Sequence, residues 1–367
     1  MSKTYKIAVV AGDGIGPEVV REGLRVLKFA AEHWGFDYSL TEYPYGTDHW
    51  LATGGENGGE IFPDEAFAAA QQHDALLLGA IGDPRAPVGL IERGVIGKLR
   101  WEGGLYINLR PIRLYDSRWC PLKDKSPQDV DMVIVRENTE DAYVFPPEFV
   151  DKGGPNEIAS QPMRYTRAGT ERVIRYAFEL AMTRPRKQLL LIDKANAVRA
   201  HDIYTRVFAE VAKEYPEVKT DHAYIDAACM WMVKNPEWFD VAVTTNLFGD
   251  IITDLGAMVQ GGMGVAASGN INPGKFSLFE PIHGSMPKAT GKNTANPVAT
   301  INAVGMMLDH LGEKQAAAAV EAAVAALLQS PKVKGLKAGL HSTTEWGDMV
   351  LEQLQLGLAT SAAALSS

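Results

Sequence analysis

The chain has 367 residues, 46% of them apolar and 22% charged, with a formal net charge of −9. That length supports a sizeable enzyme core, and the composition is that of a globular protein, which excludes a chain disordered throughout. The acidic balance gives no reason to expect nucleic-acid binding, although a local basic pocket can still hold a small acid. No run resembles a membrane span or a leader, so a cytoplasmic protein without membrane attachment is expected.

In chain order, the apolar run 7–10 enters a glycine-rich turn, Gly12-Asp13-Gly14-Ile15-Gly16-Pro17. Val20, Leu24, Leu27 and Ala31 then recur at helical spacing, so the segment reads as strand, turn, helix. The turn does not have the G-x-G-x-x-G spacing, and Pro17 suits the first turn of a helix. Taken alone, such a turn is more often structural than ligand-contacting. Further apolar runs at 76–78, 132–135, 189–192 and 241–243 are separated by stretches long enough for helices, which predicts an α/β arrangement.

Cys120 and Cys229 lack CxxC or zinc-ligand spacing and are expected as buried thiols. The segment 144–164 carries Pro146, Pro147, Gly153, Gly154 and Pro155, and reads as a loop or projecting arm that could touch another subunit. Near the end, Val320, Val324 and Leu328 mark a close-packed helix, and residues 361–367 are expected to form a frayed tail.

Three arginines stand out: Arg100, Arg110 in Asn108-Leu109-Arg110-Pro111, and Arg136 directly after an apolar run. Each guanidinium fork matches a carboxylate in two-point geometry, but any one of them alone is more often half of an ordinary salt bridge. Only convergence would favour substrate binding. Asp250 and Asp254 lie four apart, on one face if the segment is helical, and Asp226 offers a third carboxylate at a strand or loop end. Such oxygen donors suit Mg²⁺ or Mn²⁺; a solvated helix face is the alternative of equal weight. Lys194, just after the 189–192 run, and Tyr143, seven residues after Arg136, form a candidate acid–base pair.

Together with Arg136-Glu137-Asn138-Thr139-Glu140, Asp193-Lys194-Ala195-Asn196, Phe248-Gly249-Asp250-Ile251-Ile252-Thr253-Asp254 and Glu280-Pro281-Ile282-His283-Gly284-Ser285, these segments carry a resemblance. In their order, and along nearly the whole chain, they resemble the β-decarboxylating dehydrogenase family, which includes isopropylmalate, isocitrate, homoisocitrate and tartrate/D-malate dehydrogenases. The resemblance implies an α/β, isopropylmalate dehydrogenase-like two-domain fold with a large mixed sheet and an intersubunit arm. Residues 1–107 plus 263–367 would form a discontinuous cofactor-side domain, and 108–262 a central domain for substrate, metal and dimerisation.

It further implies that Arg100, Arg110 and Arg136 bind a malate-like dicarboxylate and that Asp226, Asp250 and Asp254 organise Mg²⁺ or Mn²⁺. A homodimer is expected, with Lys194 and Asp226 entering the neighbouring subunit's cleft. Lys194 would assist removal of the hydroxyl proton and Tyr143 would protonate the enol carbon. His283, Gly284, Ser285 and Asn296 resemble the family's adenosine-binding positions.

Lys288 stands where NAD-preferring isopropylmalate enzymes commonly carry an acid, and could attract the extra phosphate of NADP. Ala289, however, replaces the neighbouring tyrosine of the NADP-dependent isocitrate pattern, and Thr344-Glu345-Trp346-Gly347-Asp348 lacks its later tyrosine and arginine. NAD is therefore favoured over NADP.

For the substrate's remaining group, the resemblance points to Arg93, Gly94, Ile96, Gly97, Asn196 and Ala197. Gly94 and Ile96 replace the serine and asparagine of bacterial isocitrate enzymes, which disfavours isocitrate. Ile96 and Ala197 keep an apolar lining suited to 3-isopropylmalate. Arg93 in place of an acid, Gly97 in place of a larger apolar residue, and Asp83-Pro84 resemble the tartrate/D-malate members. The expectation is 3-isopropylmalate, with tartrate/D-malate as the alternative. From other classes, a noncatalytic regulatory subunit and a metal-dependent sugar-acid lyase working without nicotinamide compete.

Overall fold

A computed structural model of the protein describes residues 3–365. Ten strands form one sheet: β1 (Thr4–Gly12), β2 (Asp37–Glu42), β3 (Ala75–Ala80), β4 (Ile107–Arg113), β5 (Asp131–Glu137), β8 (Gln188–Asp193), β9 (Lys219–Tyr224), β10 (Val241–Thr244), β11 (Ala267–Ile271) and β12 (Ser277–Pro281). A separate hairpin, β6 (Glu148–Val150) with β7 (Ile158–Ser160), lies within the expected arm. The order across the sheet is β2-β1-β3-β12-β11-β4-β5-β10-β8-β9. Pairing is antiparallel from β12 through β11 and β4 to β5, and parallel elsewhere. All five apolar runs read from the sequence are strands of this sheet.

Strand alternation decides where the core lies. One face carries a single continuous apolar cluster that includes Ile7, Val9, Leu77, Phe279, Val135, Leu191 and Val243, covered by helices such as Gly16–Trp34, Arg167–Thr183 and Val298–Leu311. The other face is divided. Val10, Leu76 and Leu78 pack with Ile91, Val95 and Leu99 at one end, whereas Ile112, Ile134 and Ile192 pack with Met232 and Ile252 at the other. Between them the same pleat presents Asn108, Arg110, Arg136, Ser268, Asn270 and Glu280, all buried. The gap between the two apolar clusters is therefore lined with polar groups.

Three expectations need correction. Cys120 and Cys229 are free but only half-buried, because each sits at the margin of the second apolar cluster rather than inside it. Asp226 does not end a strand or loop; it lies in the first turn of helix Ile225–Lys234, where a carboxylate favours the helix dipole. The last helix, Thr343–Leu365, runs through most of the segment expected to be a tail, in keeping with the helix propensity of its three consecutive alanines. Ser366 and Ser367 lie outside the described residues.

Candidate active site

The three arginines converge on the polar gap. Arg110 comes from β4 and Arg136 from β5, on the same pleat face; Arg100 comes from the end of a helical stretch, 90–101, whose middle forms a π turn at Arg93–Gly97. Such turns recur at functional sites. Arg100 Nη2 donates to Glu280 Oε1 at 2.7 Å and Arg110 Nε to Asn108 Oδ1 at 2.7 Å. Arg136 donates through Nε and Nη2 to Asn246 Oδ1, at 3.0 and 2.7 Å, and through Nη1 to Asp250 Oδ1 at 2.6 Å. A chain of amides links Asn108 and Asn138 to Asn270, which in turn bonds Glu280.

Burial and the neighbouring charges of Arg136 and Arg100 push the Arg110 guanidinium down to about 10. Two buried nitrogens, Arg100 Nε and Arg110 Nη1, have no hydrogen-bond partner among the described residues, Arg110 Nη1 lying 3.8 Å from Asp254 Oδ1. Buried donors of this kind are costly unless an acceptor arrives, and a cluster of cations calls for an anion. A small dicarboxylate meets both needs.

Asp250 and Asp254 share one face of helix Asn246–Val259, as their spacing predicted. Burial alone would raise Asp250, yet Arg136 and the Tyr143 hydroxyl, bonded to Asp250 Oδ2 at 2.8 Å, hold it below the usual carboxylate range. Asp254 goes the other way, raised by burial and then by the negative charge of Asp250. A cation between the two would relieve that repulsion, so this half of the donor set fits a hard divalent ion. Among the described residues, however, no group of three or more His, Cys, Asp or Glu side chains is placed to hold a metal ion. Asp226 is instead paired with Lys194, at 2.5 Å from its Nζ, and neither is bonded to the arginines or to Asp250 and Asp254. Asn196 and Ala197 follow Lys194 on the same exposed turn.

Of the residues expected around the substrate's remaining group, Ile96 packs half-buried on the first apolar cluster. Arg93 Nη2 donates to the Val144 carbonyl at 3.1 Å, and its guanidinium stacks over Trp101 at 5.0 Å. A Cβ on Gly97 would lie 2.8 Å from that indole, so the Trp101 ring occupies the space a larger residue would need.

The glycine-rich turn also earns a role. Gly14 has φ +60°, and a Cβ there would lie 2.0 Å from the Ser285 carbonyl oxygen, which accepts the Ile15 N–H at 2.8 Å. Only glycine allows this approach. Ser285 Oγ donates to the Gly82 carbonyl, so the turn, the end of β3 and the 283–285 loop form one unit. Beside it His283 Nε2 and Asn296 Nδ2 are buried without a hydrogen-bond partner among the described residues, while Gly284 and Lys288 are exposed. These unpartnered atoms fit a dinucleotide's polar edge. Sequence reasoning missed Asn108 and Asn246, the acceptors that orient Arg110 and Arg136; the two-residue spacing of Asn108 and Arg110 on one strand face was the available signal.

The fold and this seat of arginines and carboxylates define a metal-dependent β-decarboxylating dehydrogenase. The family model for isocitrate/isopropylmalate dehydrogenase matches residues 6–350, and the chain belongs to that family. It is 49% identical to a 3-isopropylmalate dehydrogenase of Thermobifida fusca, over 96% of this chain and 98% of that one. It is 46% identical to one of Frankia casuarinae, over 94% and 97%. Among solved structures, the isocitrate dehydrogenase of Methylococcus capsulatus superposes with a TM-score of 0.85 at 34% identity, covering 95% of this chain and 99% of that one. The TT0538 protein of Thermus thermophilus gives 0.82 at 33%, covering 95% and 68%.

Proposed function

We propose that the protein oxidises and decarboxylates 3-isopropylmalate with NAD and Mg²⁺ or Mn²⁺. The observation that carries this is the buried three-arginine seat, with two donor nitrogens that make no hydrogen bond among the described residues, set beside the Asp250–Asp254 pair. Identity of 46–49% to curated 3-isopropylmalate dehydrogenases supports the choice of acid. Arg100, Arg110 and Arg136 clamp the two malate carboxylates and orient C2. Lys194 takes the hydroxyl proton. A divalent ion held by Asp250 and Asp254, with Asp226 of a second copy, would supply Lewis-acid polarisation of that hydroxyl, and a nicotinamide cofactor held at His283, Ser285 and Asn296 would supply the hydride acceptor for C2. Tyr143, pushed up to about 12 by burial and by Asp250, keeps its proton at neutral pH and delivers it to the enol carbon.

Asp226 and Lys194 would serve the cleft of a second copy, which would complete the carboxylate cage in a homodimer. Exposed Met230, Val233, Ile251 and Met258 on helices Ile225–Lys234 and Asn246–Val259, and Phe149 on the hairpin, support such a contact. We also assign 1–107 with 263–367 as the cofactor-side unit, since that part of the chain supplies His283, Ser285, Lys288 and Asn296. NAD remains favoured over NADP, for Lys288 is one exposed lysine rather than a phosphate pocket. No described helix is long and apolar enough to cross a membrane; a cytoplasmic site of action is proposed.

Tartrate or D-malate is the second reading, favoured by Arg93, a polar group placed at the Tyr143 turn. Turnover of 3-isopropylmalate, D-malate, tartrate and isocitrate, each with NAD and with NADP, tests the choice. The highest kcat/KM is expected for 3-isopropylmalate with NAD. Turnover without nicotinamide would favour a lyase, and absence of both reduced cofactor and CO₂ would favour a regulatory subunit.

A further inference from the structure

Beneath the site lies a buried polar chain that none of these steps uses. His201 is fully buried, and its Nδ1 accepts the backbone N–H of Lys194 at 3.0 Å. A ring nitrogen that accepts carries no proton, so the proton of the neutral imidazole sits on Nε2. Nε2 then donates to the Tyr165 hydroxyl at 2.8 Å. Burial lowers the His201 pKa, which keeps the ring neutral. The Tyr165 hydroxyl lies beside the carboxylate of Asp141, an acceptor for its proton.

Asp141 is itself fully buried and holds a left-handed backbone, φ 76°. Its two oxygens accept the N–H of Ala142 at 2.7 Å and of Leu247 at 3.0 Å. Ala142 immediately precedes Tyr143, and Leu247 lies in the first turn of the helix that carries Asp250 and Asp254. Phe248, in that same turn, packs edge-on against the His201 ring with centroids 5.3 Å apart. One imidazole thus reaches the backbone of the proposed base, the turn of the proposed acid and the start of the metal-binding helix.

We propose that His201 and Tyr165 are positioning residues that fix the Lys194 turn relative to the Tyr143 turn. This rests on the reaction proposed above. Where Lys194 serves a neighbour's cleft and Tyr143 its own, the same chain of bonds ties the two clefts of a dimer together, so the placement of one site's base is set by the other site's acid turn.

Three variants separate positioning from ordinary core packing. His201→Asn keeps an acceptor near Nδ1 but loses the link to Tyr165. His201→Gln keeps a donor near Nε2 but abandons the Lys194 N–H, and Tyr165→Phe removes a single oxygen. With 3-isopropylmalate, NAD and Mn²⁺, kcat is expected to fall on the order of 10- to 100-fold in each, because misplacement of a reacting group by about 1 Å costs that much. KM for the acid should stay within about threefold, since uniform binding by the arginines is untouched. Independently of turnover, acetic anhydride labelling of Lys194, read by mass spectrometry against the other lysines, should rise several-fold in His201→Gln and stay near wild type in His201→Asn.

Wild-type kcat in all three variants, with only a lower melting temperature, overturns the inference. If the wild type does not turn over the acid, it is the reaction that has been misread. Labelling then decides alone, and an unchanged Lys194 rate in His201→Gln refutes the positioning role. Should the His201 variants fail to fold, Tyr165→Phe carries the kinetic test.

Discussion

Gly249→Ala sets two physical effects against each other. Gly249 lies inside helix Asn246–Val259, where alanine is favoured over glycine by about 1 kcal/mol. A Cβ there, however, would lie 2.4 Å from Arg136 Cγ, 2.7 Å from its Cβ and 2.9 Å from its Cδ. These atoms are the root of the side chain and cannot swing away, so either β5 or the helix must shift. Overpacking of this kind costs about 1–3 kcal/mol. Loosening the charged Arg136–Asp250 bond adds about 1.5–3 kcal/mol. Subtracting the helix gain leaves a net destabilisation of about 1.5–5 kcal/mol, seen as a melting temperature lower by several degrees. Because the guanidinium leaves its two-point grip, kcat/KM should fall at least about tenfold. Differential scanning calorimetry and steady-state NADH formation measure both. A melting temperature that rises with kcat/KM unchanged would refute the claim that Gly249 exists to seat Arg136.

Three other expectations follow from the site. Tyr143→Phe should lower kcat on the order of 10²- to 10⁴-fold, and because the phenol is pushed up to about 12, no loss of wild-type activity between pH 8 and 10, which lie below that value, should depend on Tyr143; a limb in that range that disappears in the variant would contradict it. EDTA should abolish turnover and Mn²⁺ or Mg²⁺ should restore it, with Asp254→Asn requiring a much higher Mn²⁺ concentration; equal Mn²⁺ dependence of variant and wild type would remove Asp254 from the cage. Burial raises Glu137 from 4.5 to about 7, in spite of bonds from Thr139 and Glu140 that favour its charged form. Below pH 4.5 both states hold the proton, and as pH rises the unfolded chain ionises first, so wild type loses stability relative to Glu137→Gln by about 3 kcal/mol between pH 4.5 and 7. Urea melts across that window measure the gap, and a constant difference would sink the argument.

Strands β1, β3, β5, β8 and β10 were legible because their centres are buried and read as unbroken apolar runs. By contrast β4, β11 and β12 were not picked out: Asn108, Arg110, Ser268, Asn270 and Glu280 occupy the inward positions that hydrophobic patterning expects to be apolar. Those strands read poorly for the same reason that they carry the site. Edge strands β2 and β9 were hidden by their exposed, mixed composition. The arginines, Tyr143 and the Asp250–Asp254 pair could be nominated from spacing, and the structure brings them together. Lys194 and Asp226 could be nominated too, but the structure leaves them bonded to each other rather than to the rest. His201 gave no signal, since its meaning depends on the Lys194 N–H and the Tyr165 hydroxyl that folding alone brings to it.

The split apolar layer on the site face governs cohesion. Two oily blocks rest on one shared floor, and the seam between them is filled by like-charged guanidinium groups and amides that would rather be wet. Along that seam bonds such as Arg100–Glu280 and Asn108–Asn270 join the halves, and a diacid seated on the guanidinium groups would add to them. Affinity for the acid would thereby also be resistance to unfolding, by mass action on the folded form.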